Sequence, residues 1–305
     1  MKINTIFYVL LMATGLAGCT SEASTGSDTQ EESTTVMHTH KKGYQLYTIR
    51  EELSSDSAID AALAKTSEMG YVQVESFGYM DGTFFGQQPD QFKKTINSAS
   101  LTTPSGHYLP MELAGDKVVP IDTANIAKML DAAEALGQQW VIVPWMSEAW
   151  RTESGYMHLV EYLKTLSAMC KERGLIAGWH NHEFEFEPLE NGTIPYDFLI
   201  KSLKDHGVVF EMDLHWVAFA GEDPVEWFKK YPGMFPLWHV KDFAADTLNQ
   251  VPVGQGVIDW ERIFAHAELS GMEHYYVEQD VCSADRALDC LEESLAWAKE
   301  QDFMD

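Results

Sequence analysis

The feature that most constrains the fold is an alternation repeated along the chain: eight short apolar runs separated by stretches with helical spacing, from Tyr44 onward. The runs are YQLYTI, YVQVES, LTTPSGHY, WVIVPW, LIAGWHNH, VVFEMDL, LWHVKDF and HYYVEQD. Between them, Ala58 to Met69, Ile121 to Leu136, Met157 to Arg173 and Tyr196 to His206 carry apolar residues three and four apart, as amphipathic helices do. Gly70, Gly137, Gly174, Gly207 and Gly271 stand where a helix gives way to the next strand, and glycine accepts the left-handed backbone that stops a helix. Nothing linker-like divides the units, so the pattern predicts a single-domain α/β fold, a (β/α)8 TIM barrel. An open doubly wound sheet competes, but no Gly-rich phosphate turn follows the first run.

A barrel of this kind builds its active site at the C-terminal ends of its strands. Those ends are where this sequence turns polar: Glu75 after strand 2, His107 after strand 3, His180 and His182 after strand 5, Asp213 on strand 6, His239 on strand 7 and Glu278 on strand 8. One such residue is ordinarily a satisfied core or loop group. Four successive strands ending in His, Asp, His and Glu converge on one axial pocket, and mixed imidazole and carboxylate ligands suit Mn, Co, Zn or Fe better than Ca. The cofactor expected is therefore a divalent metal: Mn, Co or Zn. A metal held this way polarises a carbonyl, and a nearby His or Glu removes the adjacent proton.

The segments HNHEFEF, FEMDLHWVAFAGEDP, WHVKDF, VPVGQGVIDWERIF and YYVEQD, taken in order, resemble the xylose isomerase-like TIM barrels known as sugar phosphate isomerases/epimerases. The resemblance covers Tyr44 to about Lys299. It implies metal ligands at Asp213, His239 and Glu278. The strand-5 ligand in many members is a glutamate, whereas HNH places His180 there. Either His180 takes over as ligand, the reading favoured here, or three residues and water complete the shell; Glu185 is a third candidate, more simply a partner that orients an imidazole.

The same departure bears on mechanism. Epimerases of this group pass a proton between two opposed carboxylates on strands 5 and 8, and here only Glu278 remains. His182 resembles the histidine base of relatives that eliminate or add a group beside the ketone of a 3-keto-glycoside. The expected catalytic set is His182, Glu278 and Lys241, the last sharing a strand face with His239. Asp242 faces the other way and is expected to serve structure. Glu75, His107, Trp145, Glu185 and Trp216 are the candidate substrate contacts, the two tryptophans by stacking on a sugar face. A sugar isomerase or ketose 3-epimerase is the alternative, and a carbohydrate-binding lipoprotein without catalysis is a second.

Residues 1–18 read as a lipoprotein signal peptide. Lys2 precedes the apolar TIFYVLLMATGLAG, and Leu16-Ala17-Gly18-Cys19 resembles the cleavage box that leaves a lipidated Cys19. Thr20 in place of Asp then suggests the outer membrane. Residues 19–42, rich in Ser, Thr and Glu, read as a disordered tether, with His38 and His40 in it, and the barrel occupies 43–305. Membrane contact is thus expected only through the lipid anchor, with the protein periplasmic or surface-facing. The formal charge of -26 disfavours nucleic acid. Charge and export together favour a small unphosphorylated sugar over a sugar phosphate, and a homo-oligomer is compatible with the sequence. An oxidising compartment would also permit a Cys282–Cys290 disulfide.

Overall fold

The computed structural model describes residues 42–115, 117, 119–282 and 286–304. The signal segment, Cys19, His38 and His40 lie outside the described residues. Eight parallel strands form one sheet: β1 (Lys42–Gln45), β2 (Gln73–Glu75), β3 (Ser105–His107), β4 (Trp140–Val143), β5 (Ile176–His180), β6 (Val208–Asp213), β7 (Leu237–Val240) and β8 (His274–Val277). The ladder runs β2-β1-β8-β7-β6-β5-β4-β3, so every neighbour in sequence is a neighbour in space. Between β2 and β3 the edges are joined by the isolated bridges Gln73–Thr102 and Ser76–Gly106, through Val74 N donating to Thr102 O (2.8 Å), Ser76 N to Ser105 O (3.2 Å) and His107 N to Ser76 O (2.7 Å). The TIM barrel is therefore nearly closed, with one thin seam.

Strand periodicity divides the core in two. Trp140, Ile142, Leu237 and Tyr276 point inward and, with Ile176 and Val209 against them, fill the barrel interior. The opposite faces of the strands join the helices in the larger outer cluster, which includes Val141, Trp179, Phe210 and Trp238. Helix Asp56–Met69 starts at Ser55, whose hydroxyl accepts from Ala58 N, and Thr123–Leu136 starts at Asp122, whose carboxylate accepts from Ala124 N and Asn125 N. Helices Glu153–Glu172 and Pro195–Leu203 follow at the expected places. All five helix-terminating glycines adopt positive φ. Among the described residues, no helix is long and apolar enough to cross a membrane.

Strand 1 departs from the sequence reading. YQLYTI was expected to be extended throughout, but the chain leaves the sheet after Gln45 and winds into a 3-10 turn over Leu46–Glu52. Gln45 Oε1 accepts from Tyr47 N at 3.2 Å and caps that turn. Leu46, Thr48 and Ile49 are buried in the turn, so their burial pattern fits either conformation. Cys282 and Cys290 form a disulfide, tying the segment after β8 to helix Ala287–Ala298.

Asp242 organises the loop after β7, as its orientation predicted. Its Oδ2 accepts from Gly254 N (3.0 Å), Gly256 N (3.1 Å) and Trp260 Nε1 (3.1 Å), while Oδ1 accepts from Phe243 N (2.9 Å). A Cβ on Gly256 would sit 2.0 Å from Asp242 Oδ1. We expect Gly256→Ala to lower stability by roughly 1–3 kcal/mol through this overpacking. Thermal melting of the variant checks it, and an unchanged melting temperature would show that the loop yields.

Candidate metal centre and active site

The strand ends bring two tiers of polar groups onto the barrel axis. In the upper tier stand His180, Asp213, Lys241 and Glu278. Asp213 closes β6 and caps the short helix Leu214–Phe219: its Oδ1 accepts from His215 N (3.0 Å) and Trp216 N (3.1 Å). Its position is further fixed by Asn181, whose Oδ1 accepts from Asp213 N at 3.1 Å. The second oxygen, Oδ2, is thereby left facing the axis, 3.6 Å from His180 Nε2 and ion-paired to Lys241 Nζ at 2.8 Å. Lys241 Nζ also lies 2.6 Å from Glu278 Oε2 and 2.9 Å from Asp280 Oδ2.

The lower tier is made of Glu75, His107, Glu211 and His239. Glu211 precedes Asp213 by two residues on β6 and so shares its inward face. Glu211 Oε2 lies 2.6 Å from His107 Nε2, 3.0 Å from His180 Nδ1 and 3.3 Å from His239 Nε2. Glu75 Oε2 lies 2.7 Å from His239 Nε2, and its carboxylate also accepts from Gln45 Nε2 (2.7 Å) and Ser105 Oγ (2.5 Å). His239 joins the tiers, since its Nδ1 reaches Glu278 Oε2 at 2.6 Å.

Burial and charge set the ionisation of these groups. Burial alone would depress His107, but Glu75 and Glu211 beside it raise it to about 9. His239 is held well above the usual histidine range by Glu211 and Glu278 against the same burial. His180, by contrast, falls to about 3 through burial and the positive His239 nearby. Burial, His180 and Lys241 hold His182 well below its ordinary value, so its imidazole is neutral. Burial would lower Lys241 too, yet Asp213, Asp280 and Glu278 keep it charged. Burial lifts Asp213 to about 6, against the pull of Lys241 and His239.

Among the described residues, two groups of donor atoms lie within 4.8 Å of one another: Asp213, His239 and Glu278, and His107, His180, Glu211 and His239. A first-row divalent ion with bonds near 2.1 Å spaces its donors by roughly 3–3.6 Å; Asp213, His239 and Glu278 converge within 4.8 Å, and His180 Nε2, 3.6 Å from Asp213 Oδ2, stands beside them as a fourth donor. The buried Asp213 Oδ2, facing the axis between His180 Nε2 and Lys241 Nζ, gives that fit an anchor. The lower carboxylates then stand where partners that orient ligating imidazoles are found.

Above these tiers opens a cavity of about 540 Å³. His107, His180, His182, Lys241 and Glu278 reach it, as do Trp145 and Trp216. Asp213 and His239 lie just beneath it, fully buried. Two candidate substrate contacts sit elsewhere. Glu75 is fully buried in the lower tier, and Glu185, equally buried, accepts from Trp179 Nε1 (3.1 Å) and His182 N (2.8 Å). Glu185 therefore fixes the backbone of His182, while its own carboxyl, pushed up to about 8 by burial, faces protein. Sequence reasoning missed Glu211, Asn181 and Asp280. The two-residue strand period from Asp213 and from Glu278 was the signal for the two acids.

The family described as xylose isomerase-like TIM barrel matches residues 63–304. The chain belongs to the xylose isomerase-like TIM barrel family. The chain spans about half the length of the curated relatives it matches, inosose dehydratases of Clostridium perfringens: 27% identity over 153 residues, 44% of this chain and 48% of theirs. A sugar phosphate isomerase/epimerase from Parabacteroides distasonis is 26% identical with a TM-score of 0.74, covering 89% of this chain and 97% of its own. The IolI protein solved with a zinc atom shares the xylose isomerase-like fold at 16% identity and a TM-score of 0.65, covering 87% of this chain and 98% of its own.

Proposed function

We propose that this protein is a metal-dependent lyase or hydratase that moves a proton beside the carbonyl of an unphosphorylated sugar derivative, a 3-keto-glycoside or related keto-sugar. One observation carries the reading: His180 stands at the strand-5 position where an epimerase needs a carboxylate opposite Glu278, and a second, neutral imidazole, His182, lines the pocket beside it. A divalent cation held by His180, Asp213, His239 and Glu278 supplies a Lewis acid that polarises a carbonyl and acidifies the neighbouring C–H. The zinc of the IolI protein and the dehydratase relatives of Clostridium perfringens support that chemistry.

His182 is equipped to accept the proton. It is neutral, and its ring lines the cavity. Its ring stacks on Phe184 (centroids 5.5 Å, planes 9° apart), which fixes its direction. Lys241, charged and lining the pocket among Asp213, Glu278 and Asp280, contributes positive charge near an oxygen that gains negative charge. His107 and Trp216 complete the sugar end, one as a donor and one as an apolar wall.

The sequence supports placement as an outer-membrane lipoprotein anchored through Cys19, and the Cys282–Cys290 bond suits such an oxidising compartment. The P. distasonis neighbour favours a second reading, sugar isomerase or 3-epimerase. The deciding experiment strips the metal, restores Mn, Co or Zn separately, and follows 3-keto-glycosides and free ketoses by NMR in deuterated water. Metal-dependent elimination or hydration is the expected result. Deuterium uptake into an otherwise isomerised sugar would replace the lyase with the isomerase, and binding without turnover under every metal would leave a carbohydrate-binding protein.

A further inference from the structure

We propose that the outer half of the pocket is a binding subsite for an aromatic aglycone, so that the substrate is an aryl glycoside; this rests on the keto-glycoside reading above. Size comes first. A hexose fills roughly 170–200 Å³ at the packing density of organic solids, against the 540 Å³ of the cavity. A sugar held at the charged end leaves room for another ring.

The remaining space differs in chemistry. The groups that do the proposed chemistry come from β5 to β8. The opposite wall comes from the segments after β1 to β4: Tyr47, Phe77, Tyr79, Met80, Leu109 and Trp145. Tyr47 meets Phe77 edge-on at 5.2 Å, and Phe77 is backed the same way by Phe85 at 5.2 Å, so these two rings of the wall are held in place. Tyr79 turns its hydroxyl outward to donate to Lys128 O at 3.1 Å and leaves its ring to the pocket. Tyr47, Met80 and Leu109 are 39%, 64% and 39% exposed, costly for apolar surface unless something covers it.

The occupant follows from what this wall lacks. A second sugar needs hydrogen-bond partners for its hydroxyls, and apolar side chains dominate here. A phosphate needs a free cation; among the described lining residues Lys241 is the one lysine or arginine, and Asp213, Glu278 and Asp280 already surround it. A flat aromatic group matches the wall by offset and edge-to-face packing.

The test compares phenyl and methyl 3-keto-glucosides as substrates of the metal-loaded protein, with phenyl and methyl glucoside as binding probes by calorimetry. Phenoxide leaves more readily than methoxide, so the subsite is read as the part of the phenyl-to-methyl ratio in kcat/KM that the wall variants remove, expected to be about 10–100-fold, the worth of burying one ring. Phe77→Ala and Met80→Ser should each bring that ratio toward one. The ratio does not depend on the fraction of protein folded, and Met80 is exposed enough for its variant to fold. Equal rates for the two compounds, or variants that slow both alike, overturn the subsite while leaving the keto-glycoside reading intact. If neither compound turns over but phenyl glucoside binds at least 10-fold tighter than methyl glucoside, the subsite stands and the reaction assigned above falls.

Discussion

His182→Ala should lower turnover by about 10²–10⁴-fold, the range for losing a positioned general base, while metal content stays at the native level. The two halves of that expectation come from different facts. The ring is neutral because burial, His180 and Lys241 all oppose its protonation. It is held flat on Phe184 and its backbone is pinned by Glu185, so alanine removes the acceptor without moving the loop. His182 is outside both groups of converging donor atoms, so metal binding should not follow the loss of rate. Metal analysis beside NMR assays in deuterated water reads both quantities. Retained rate would move the base to another residue, with Glu278 the first to examine. Loss of rate and metal together would make His182 a ligand instead.

Glu211→Gln should weaken metal binding by about 10–100-fold, the usual effect of removing a group that orients ligating histidines. One oxygen of Glu211 serves His107, His180 and His239 together. Its carboxylate is held well below the usual acid range: burial works against ionisation, but His239 and His107 outweigh it. An amide in its place leaves the buried positive charge of His107 and His239 opposed by one carboxylate less, a loss of about 3–5 kcal/mol in comparable buried pairs. Competition with a chromophoric chelator measures the affinity, and thermal melting measures the stability. A stability loss with native metal affinity would make Glu211 a structural charge alone.

The fold was legible because a barrel repeats its signal. Eight apolar runs and the glycines after the helices point to one topology, and an error in one run, as at Leu46–Glu52, does not disturb the others. The upper tier was legible for a similar reason, since strand ends are places defined by the fold. Glu211 was overlooked because it sits inside a run, where a charge reads as a break in an apolar strand unless the inward face is already known. The misplacing of Glu75 and Glu185 has another cause. Both stand at or near strand ends, but whether such a side chain turns to the cavity or to its neighbours depends on partners such as Gln45, Ser105 and Trp179, each contributed by a different position in the chain. Of the aromatic wall only Trp145 was read from the sequence, because its side chains come from segments that follow four different strands.

The separation of the pocket walls has a consequence for how such a protein can change. The ionised groups on the β5–β8 side hold one another in a dense set of short contacts, so a substitution in any of them propagates to the rest. Phe77 and Met80, on or beside a two-stranded hairpin, touch none of those contacts, and that hairpin can be lengthened, shortened or rebuilt without disturbing them. Descendants of this chain can therefore diverge in what they accept while inheriting the same reaction. Variation among them should concentrate in the segments after β1 to β4 and be sparse after β5 to β8.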